Sequence, residues 1–202
     1  MRALEKRKAT RILLQKKKNN QKIMLNIGCG TDYKNGWINI DNNSDNNIKK
    51  LDLNWDLKYA LPFADNSVDF IYNEHFLEHL TVEDGVNVTK DFIRVLKPKG
   101  VLRIAMPDLK NTVEKYFDPN WKNAPVIKKF GLEYIQTKAE MINIGFRAWG
   151  HKWLYDAEEL QRRLKEAGCI NIKMCKLRQS DYDNLMNIET REESTLIAEV
   201  IK

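Results

Sequence analysis

Three cysteines in 202 residues (Cys29, Cys169 and Cys175) are too few and too irregularly spaced for a disulfide framework or a cysteine zinc site. No apolar run approaches the ~20 residues that a membrane span requires. The first residues are basic but lack the apolar stretch of a signal peptide, so a cytoplasmic chain is expected. No acidic cluster specifies a magnesium site. Histidine is scarce as well. His75, His79 and His151 are the whole supply, so candidates for an imidazole base are few.

Acid is nearly missing from one end. Residues 1–22 hold nine Lys/Arg and a single acid, Glu5. That segment carries +8, while the remainder holds 25 basic against 27 acidic residues, or −2, within the total of +6. The basic balance belongs to the N-terminal segment and not to the domain. A uniformly basic nucleic-acid face is therefore not expected. Leu4, Ile12, Leu13 and Leu14 give the segment a short apolar side. It reads as a basic helix or tail (1–22) in front of a single domain (23–202).

What is present is an alternation of strands and helices. Ile23–Ile27 reads as a buried strand that stops at Gly28-Cys29-Gly30. Trp37–Asp41 alternates and ends in an acid. Ile48–Leu53, Ser67–Tyr72 and Val101–Met106 read as further strands, with two more near 169–177 and 195–201. Val82–Leu96 and Asp156–Ala167 have helical spacing, the latter closed by Gly168. The pattern predicts an α/β fold, a mostly parallel sheet with helices on both faces. Ligands of such sheets bind beyond the carboxyl ends of the strands. Gly28–Gly30, Asp41, Asp52–Leu53 and Asn73–His75 would lie along that edge.

Two features depart from the simplest such fold. Only residues 31–36 separate Gly30 from Trp37, too few for a helical crossover. The first crossover helix is therefore expected to be reduced, with the N-terminal helix a candidate cover for the vacated face. Residues 107–155 form an insertion after the fifth strand that holds nine of the 19 aromatics. It reads as a substrate cap, or alternatively as a small core of its own.

These stretches together resemble the class I S-adenosylmethionine (SAM)-dependent methyltransferases, most closely the compact group associated with glycan and cell-surface polysaccharide synthesis. The resemblance rests on Leu25-Asn26-Ile27-Gly28-Cys29-Gly30, Gly36–Asp41, Leu61–Asp69, Phe76–Leu80, Arg94–Gly100 and His151–Asp156, in that order. It implies a Rossmann-like sheet whose last strand is antiparallel, with SAM as cofactor and S-adenosylhomocysteine as product. Gly28, Cys29 and Gly30 would pass under the methionine and ribose, and Asp41 would take the ribose hydroxyls. Asp52 and Leu53 would flank the adenine, and Asn73 would lie near the methionine amino end or the sulfonium. Asn26 stands where the group commonly has an acid. A dinucleotide is disfavoured because the third-glycine position is Tyr33.

Methyl transfer to a hydroxyl needs in-line alignment, exclusion of water and a base. His75, just after the fourth strand, is the expected base, and His151 is the alternative. His79 is expected to be structural. Asp108 either orients the acceptor or caps a helix. His75-x-x-Glu78-His79 also spells a zinc-binding pattern, but zinc needs a third ligand, and no metal is expected. The expected activity is O-methylation of a sugar hydroxyl on a glycan or activated sugar, with a carbohydrate acceptor as partner. The alternatives are methylation of another small metabolite and a non-catalytic module that keeps the fold. Oligomeric state is not legible.

Overall fold

The computed structural model describes residues 2–43 and 47–202. Seven strands form one sheet: β1 (Met24–Ile27), β2 (Ile38–Asp41), β3 (Leu53–Asn54), β4 (Val68–Glu74), β5 (Leu96–Met106), β6 (Asn171–Cys175) and β7 (Leu196–Ile201). Their order is β3-β2-β1-β4-β5-β7-β6. The first five pair in parallel, while β7 enters antiparallel between β5 and β6. The sheet is the mostly parallel Rossmann-like one expected, last strand included. Among the described residues, no helix is long and apolar enough to cross a membrane.

Side-chain alternation sorts the strands into two faces. On the first, Leu25, Ile27, Ile40, Ile71, Leu102, Ile104, Ala198 and Val200 form the main core. All three sheet-packing helices lie here: α1 (Arg2–Lys18), α2 (Val82–Val95) and α6 (Ala157–Glu166). From α1, Ala9 is fully buried, with Ile12 and Leu13 beside it, while Leu4 and Leu14 face solvent. The α1 Glu5 carboxylate accepts the Asn54 N–H at the edge of the sheet. No helix separates β1 from β2, as the short link requires.

The second face corrects the expectation of helices on both sides. It is covered by the irregular segment 176–195, from which Leu177, Tyr182, Leu185 and Ile188 pack on Trp37, Phe70, Tyr72 and Ile197. A segment without a helix must satisfy its polar groups by other means. The sheet supplies charged partners for this. Arg103, with no exposed surface, donates to Glu189 and to Glu199, the latter at 2.6 Å. Glu189 in turn accepts the Arg178 N–H, and Glu199 accepts the Ser180 hydroxyl. Replacing one member of a buried ionic network leaves its partners uncompensated, at about 3–5 kcal/mol. Arg103→Met is expected to lower Tm by roughly 10 °C, measured by thermal melting followed by circular dichroism.

The expected third strand, Ile48–Leu53, shrinks to Leu53–Asn54. The side chain of Asn43 accepts from Ile48 N at 2.9 Å and donates to Ile48 O at 3.0 Å. Ile48 is thereby held in a loop instead of a ladder. The insertion after β5 folds as α3 (Leu109–Phe117), α4 (Pro125–Lys129) and α5 (Lys138–Arg147). Its neck is pinned where Asp108 bridges Tyr155 and Leu109 N–H bonds Tyr155 O at 2.8 Å. Its small core is Trp121, Ile127, Ile135 and Met141.

Candidate active site

One cavity of about 1300 Å³ runs from the carboxyl edge of the sheet up into the insertion. Its floor is the turn after β1. Gly28 has φ +63°, and a Cβ there would sit 2.6 Å from the Phe76 ring, so only glycine fits. Gly30 (φ +50°) has open space where its Cβ would point, which leaves the backbone bare toward the cavity. Asp41, at the end of β2, accepts the Gly30 N–H through Oδ2 at 2.7 Å and the Asn42 N–H through Oδ1 at 2.7 Å. Burial raises the Asp41 pKa, and those two backbone donors oppose the rise. Burial also pushes the Cys29 thiol up to about 12, so it is no nucleophile.

Asn26 also lines the floor. Its amide donates to Asp32 O at 2.8 Å and to Asn39 Oδ1 at 2.9 Å. This accounts for the missing acid, because a carboxylate would face two acceptors and could donate to neither. Asn26→Asp is expected to destabilise the fold by about 1–3 kcal/mol through unpaired buried groups. The check is the midpoint of denaturant unfolding.

Three residues expected to contact the donor do not line this cavity. Leu53 is fully buried in the main core. The Asp52 carboxylate is occupied by Asn39 N (2.8 Å), Asn39 Nδ2 (2.9 Å) and the Tyr33 hydroxyl (3.0 Å). Asp52 faces a smaller pocket beside α1. Asn73 is fully buried, with neither side-chain polar atom hydrogen-bonded and no surface on the cavity.

The wall above the floor begins where β4 ends. His75 N–H bonds Ala105 O at 2.9 Å, and the residue sits at φ +52°. A non-glycine residue held there carries strain of the kind that gathers at functional sites. His75 lines the cavity, and its Nε2 is buried without a partner. Burial, then the nearby Arg191, push its pKa down to about 4, so the ring is neutral at pH 7. Its Nδ1 lies 3.5 Å from Glu78 Oε1. Glu78 has no exposed surface, and neither carboxylate oxygen has a hydrogen-bond partner. Burial pushes it up to about 8. His79 and His151 meet edge-to-face across the same wall, their ring centroids 5.1 Å apart. Asp108 lines the cavity too, but its carboxylate caps α3 by accepting Lys110 N–H at 2.9 Å.

Segment 189–195 was not singled out in the sequence, yet it contributes Arg191, Glu192, Glu193 and Thr195 to the cavity. Glu74 holds this segment. It accepts from Thr190 N–H, Thr190 Oγ1, Arg191 N–H and the Ser194 hydroxyl. Burial alone would raise the Glu74 pKa, but these bonds hold it below the ordinary carboxylate value. The available signal was Glu74 itself, an acid at the end of an apolar strand.

The insertion roofs the cavity mainly with aliphatic residues, among them Val126, Ile127, Leu132 and Ile144. Of its nine aromatics, seven are exposed and only Phe130 and Trp149 line the cavity, while Trp121 and Tyr155 are buried. The rings form no continuous stacking surface, and of the nine only Trp121 belongs to the insertion's own core.

Residues 25–104, less than half of the chain, match a family model described as a methyltransferase domain. No curated protein matches the chain. Among solved structures, a Thermotoga maritima protein described as a SAM-dependent methyltransferase, possible histamine N-methyltransferase, aligns at TM-score 0.54 and 16% identity. The alignment covers 98% of this chain and 92% of that one. A SAM-dependent methyltransferase from Archaeoglobus fulgidus aligns at TM-score 0.51 and 16% identity, over 95% and 92%. A Haloferax volcanii methyltransferase, solved in complex with the Trm112 methyltransferase activator, gives TM-score 0.51 at 16% identity, over 89% and 81%. The fold is that of the SAM-dependent methyltransferases. At these identities the likeness extends to the fold alone.

Proposed function

We propose that this chain is a SAM-dependent methyltransferase that methylates a hydroxyl of a small acceptor, with a sugar hydroxyl as the leading candidate. One observation carries the reading: the bare Gly28–Gly30 turn, the Asp41 carboxylate and the neutral His75 ring all line a single cavity. The residues fit the donor. Glycines at positive φ open the floor, and a carboxylate at the end of β2 has lone pairs left for two vicinal hydroxyls. When bound, SAM supplies a methyl group already activated on a sulfonium.

The protein's own residues then do three things. Gly28, Cys29, Gly30 and Asp41 hold and orient the donor, with Asn26 fixing the turn from below. The insertion covers the acceptor and keeps water out, so that alignment is maintained. His75 takes the hydroxyl proton on Nε2, and His151 is the alternative acceptor. The His151 Nδ1 hydrogen bonds to Gly145 O at 2.9 Å, which leaves its Nε2 lone pair free. Lys115, Arg191 and Glu193 also line the cavity and would supply polar contacts for the acceptor. Asp52, Leu53 and Asn73 are not proposed as donor contacts, given where their side chains lie.

The aliphatic roof favours a second reading, a small metabolite less polar than a bare sugar. Incubating the protein with methyl-labelled SAM and separate panels of sugars, nucleotide sugars and apolar alcohols distinguishes the two. The first reading expects methylated sugar, the second labelled apolar product. A panel in which sugars stay unlabelled while alcohols react overturns the sugar assignment.

A further inference from the structure

Glu78, His79 and His151 each offer one ligand atom, and these atoms lie within 4.8 Å of one another. The sequence supplies two of them in His75-x-x-Glu78-His79 but no visible third. The fold brings His151 in from the far end of the insertion. Two further observations point to a ligand at this spot. The Glu78 carboxylate is fully buried, and neither oxygen has a hydrogen-bond partner. A buried carboxylate left unsatisfied is rare enough to require an explanation. In addition, His151 Nδ1 is tied to the Gly145 carbonyl, the outer bond that commonly fixes a metal-binding imidazole with its other nitrogen free.

We propose that Glu78, His79 and His151 form a binding site for one divalent transition-metal ion of the zinc class. Two imidazoles and one carboxylate are a donor set that zinc accepts with a position left open. Ligands of a tetrahedral zinc ion stand about 3.4 Å apart, given bonds of about 2.0–2.1 Å. The three donors lie within 4.8 Å of one another, so binding draws them together by at most about 1.4 Å. Both imidazoles line the cavity, whereas Glu78 lies behind them. The open position thus faces the cavity, and the ion ties the end of the insertion to the turn after β4. That turn already contacts the same segment: Lys152 and Trp153 N–H both bond Glu78 O, at 2.8 and 3.2 Å.

The test uses tag-free, chelator-stripped full-length protein titrated with zinc chloride alone in a calorimeter, with cobalt(II) as a spectroscopic probe. Saturable uptake of one zinc per chain is expected. Cobalt is expected to give the intense visible bands of a four- or five-coordinate, imidazole-containing site. Glu78→Gln, which keeps the buried shape, and His151→Ala should each weaken zinc uptake by at least about tenfold. Stripped variants that melt like the stripped wild type make that loss a loss of ligands. The absence of saturable uptake, a cobalt spectrum like that of the free aqua ion, or uptake unchanged by either substitution overturns the proposal. None of these measurements involves SAM or turnover, so the result stands apart from the donor assignment.

Discussion

Asp41→Ala is expected to weaken SAM binding by roughly 10²–10⁴-fold, on the basis of two charge-assisted hydrogen bonds of about 1.5–3 kcal/mol each. The carboxylate stands at the end of β2 against the Gly30 N–H, on the floor of the cavity. Alanine removes both the acceptor for the donor's hydroxyls and the anchor of the Gly30 peptide. Asp41→Asn keeps one oxygen and should fall between the two. Calorimetric titration with SAM reads all three proteins, and a thermal melt separates lost binding from lost folding. An alanine variant that binds SAM like the wild type removes Asp41 from the donor site.

The second large effect concerns the base. His75→Asn is expected to lower kcat by roughly 10²–10⁴-fold, the usual contribution of a positioned general base. SAM affinity should stay within a few-fold. Asparagine is the informative replacement because it tolerates the positive φ that His75 adopts, whereas alanine adds backbone strain. The split matters. A structural histidine would drag SAM affinity and stability down together, while a base lowers turnover alone. Unchanged turnover in His75→Asn removes His75 as the base, and His151 can take that role only with its Nε2 free of metal.

Much of this site was legible in the residues. A strand ending in Gly28-Cys29-Gly30, a second ending in Asp41 and a third ending near His75 each mark a strand terminus, and a parallel sheet brings such termini to one edge. The short 31–36 link also told correctly that no helix could follow β1. Other features depended on contacts that sequence does not show. Asp52 sits beside the edge, but Asn39 and Tyr33, 13 and 19 residues away, consume its carboxylate. Asn73 falls on the core side of β4 by strict alternation, one residue out of step with Glu74.

The second face is not legible in the sequence for a related reason. Segment 176–195 has no periodic apolar pattern, because it is held by charged groups on the sheet. Arg103 within Leu102–Ile104 and Glu199 within Ala198–Val200 are charges in apolar strands. They stand opposite each other in the β5–β7 register. Read as a pair, they announced a buried ionic network. Arg191 and Glu193 are equally hidden in the sequence, since they reach the cavity on a segment that Glu74 holds against the sheet.

The central claim is methyl transfer, and the most direct measurement is product analysis after incubation with methyl-labelled SAM and the acceptor panel. The account predicts S-adenosylhomocysteine formed one-for-one with an acceptor heavier by one methyl group, both abolished together in Asp41→Ala. Tight SAM binding with no S-adenosylhomocysteine from any acceptor would contradict it and leave a binding module in place of an enzyme.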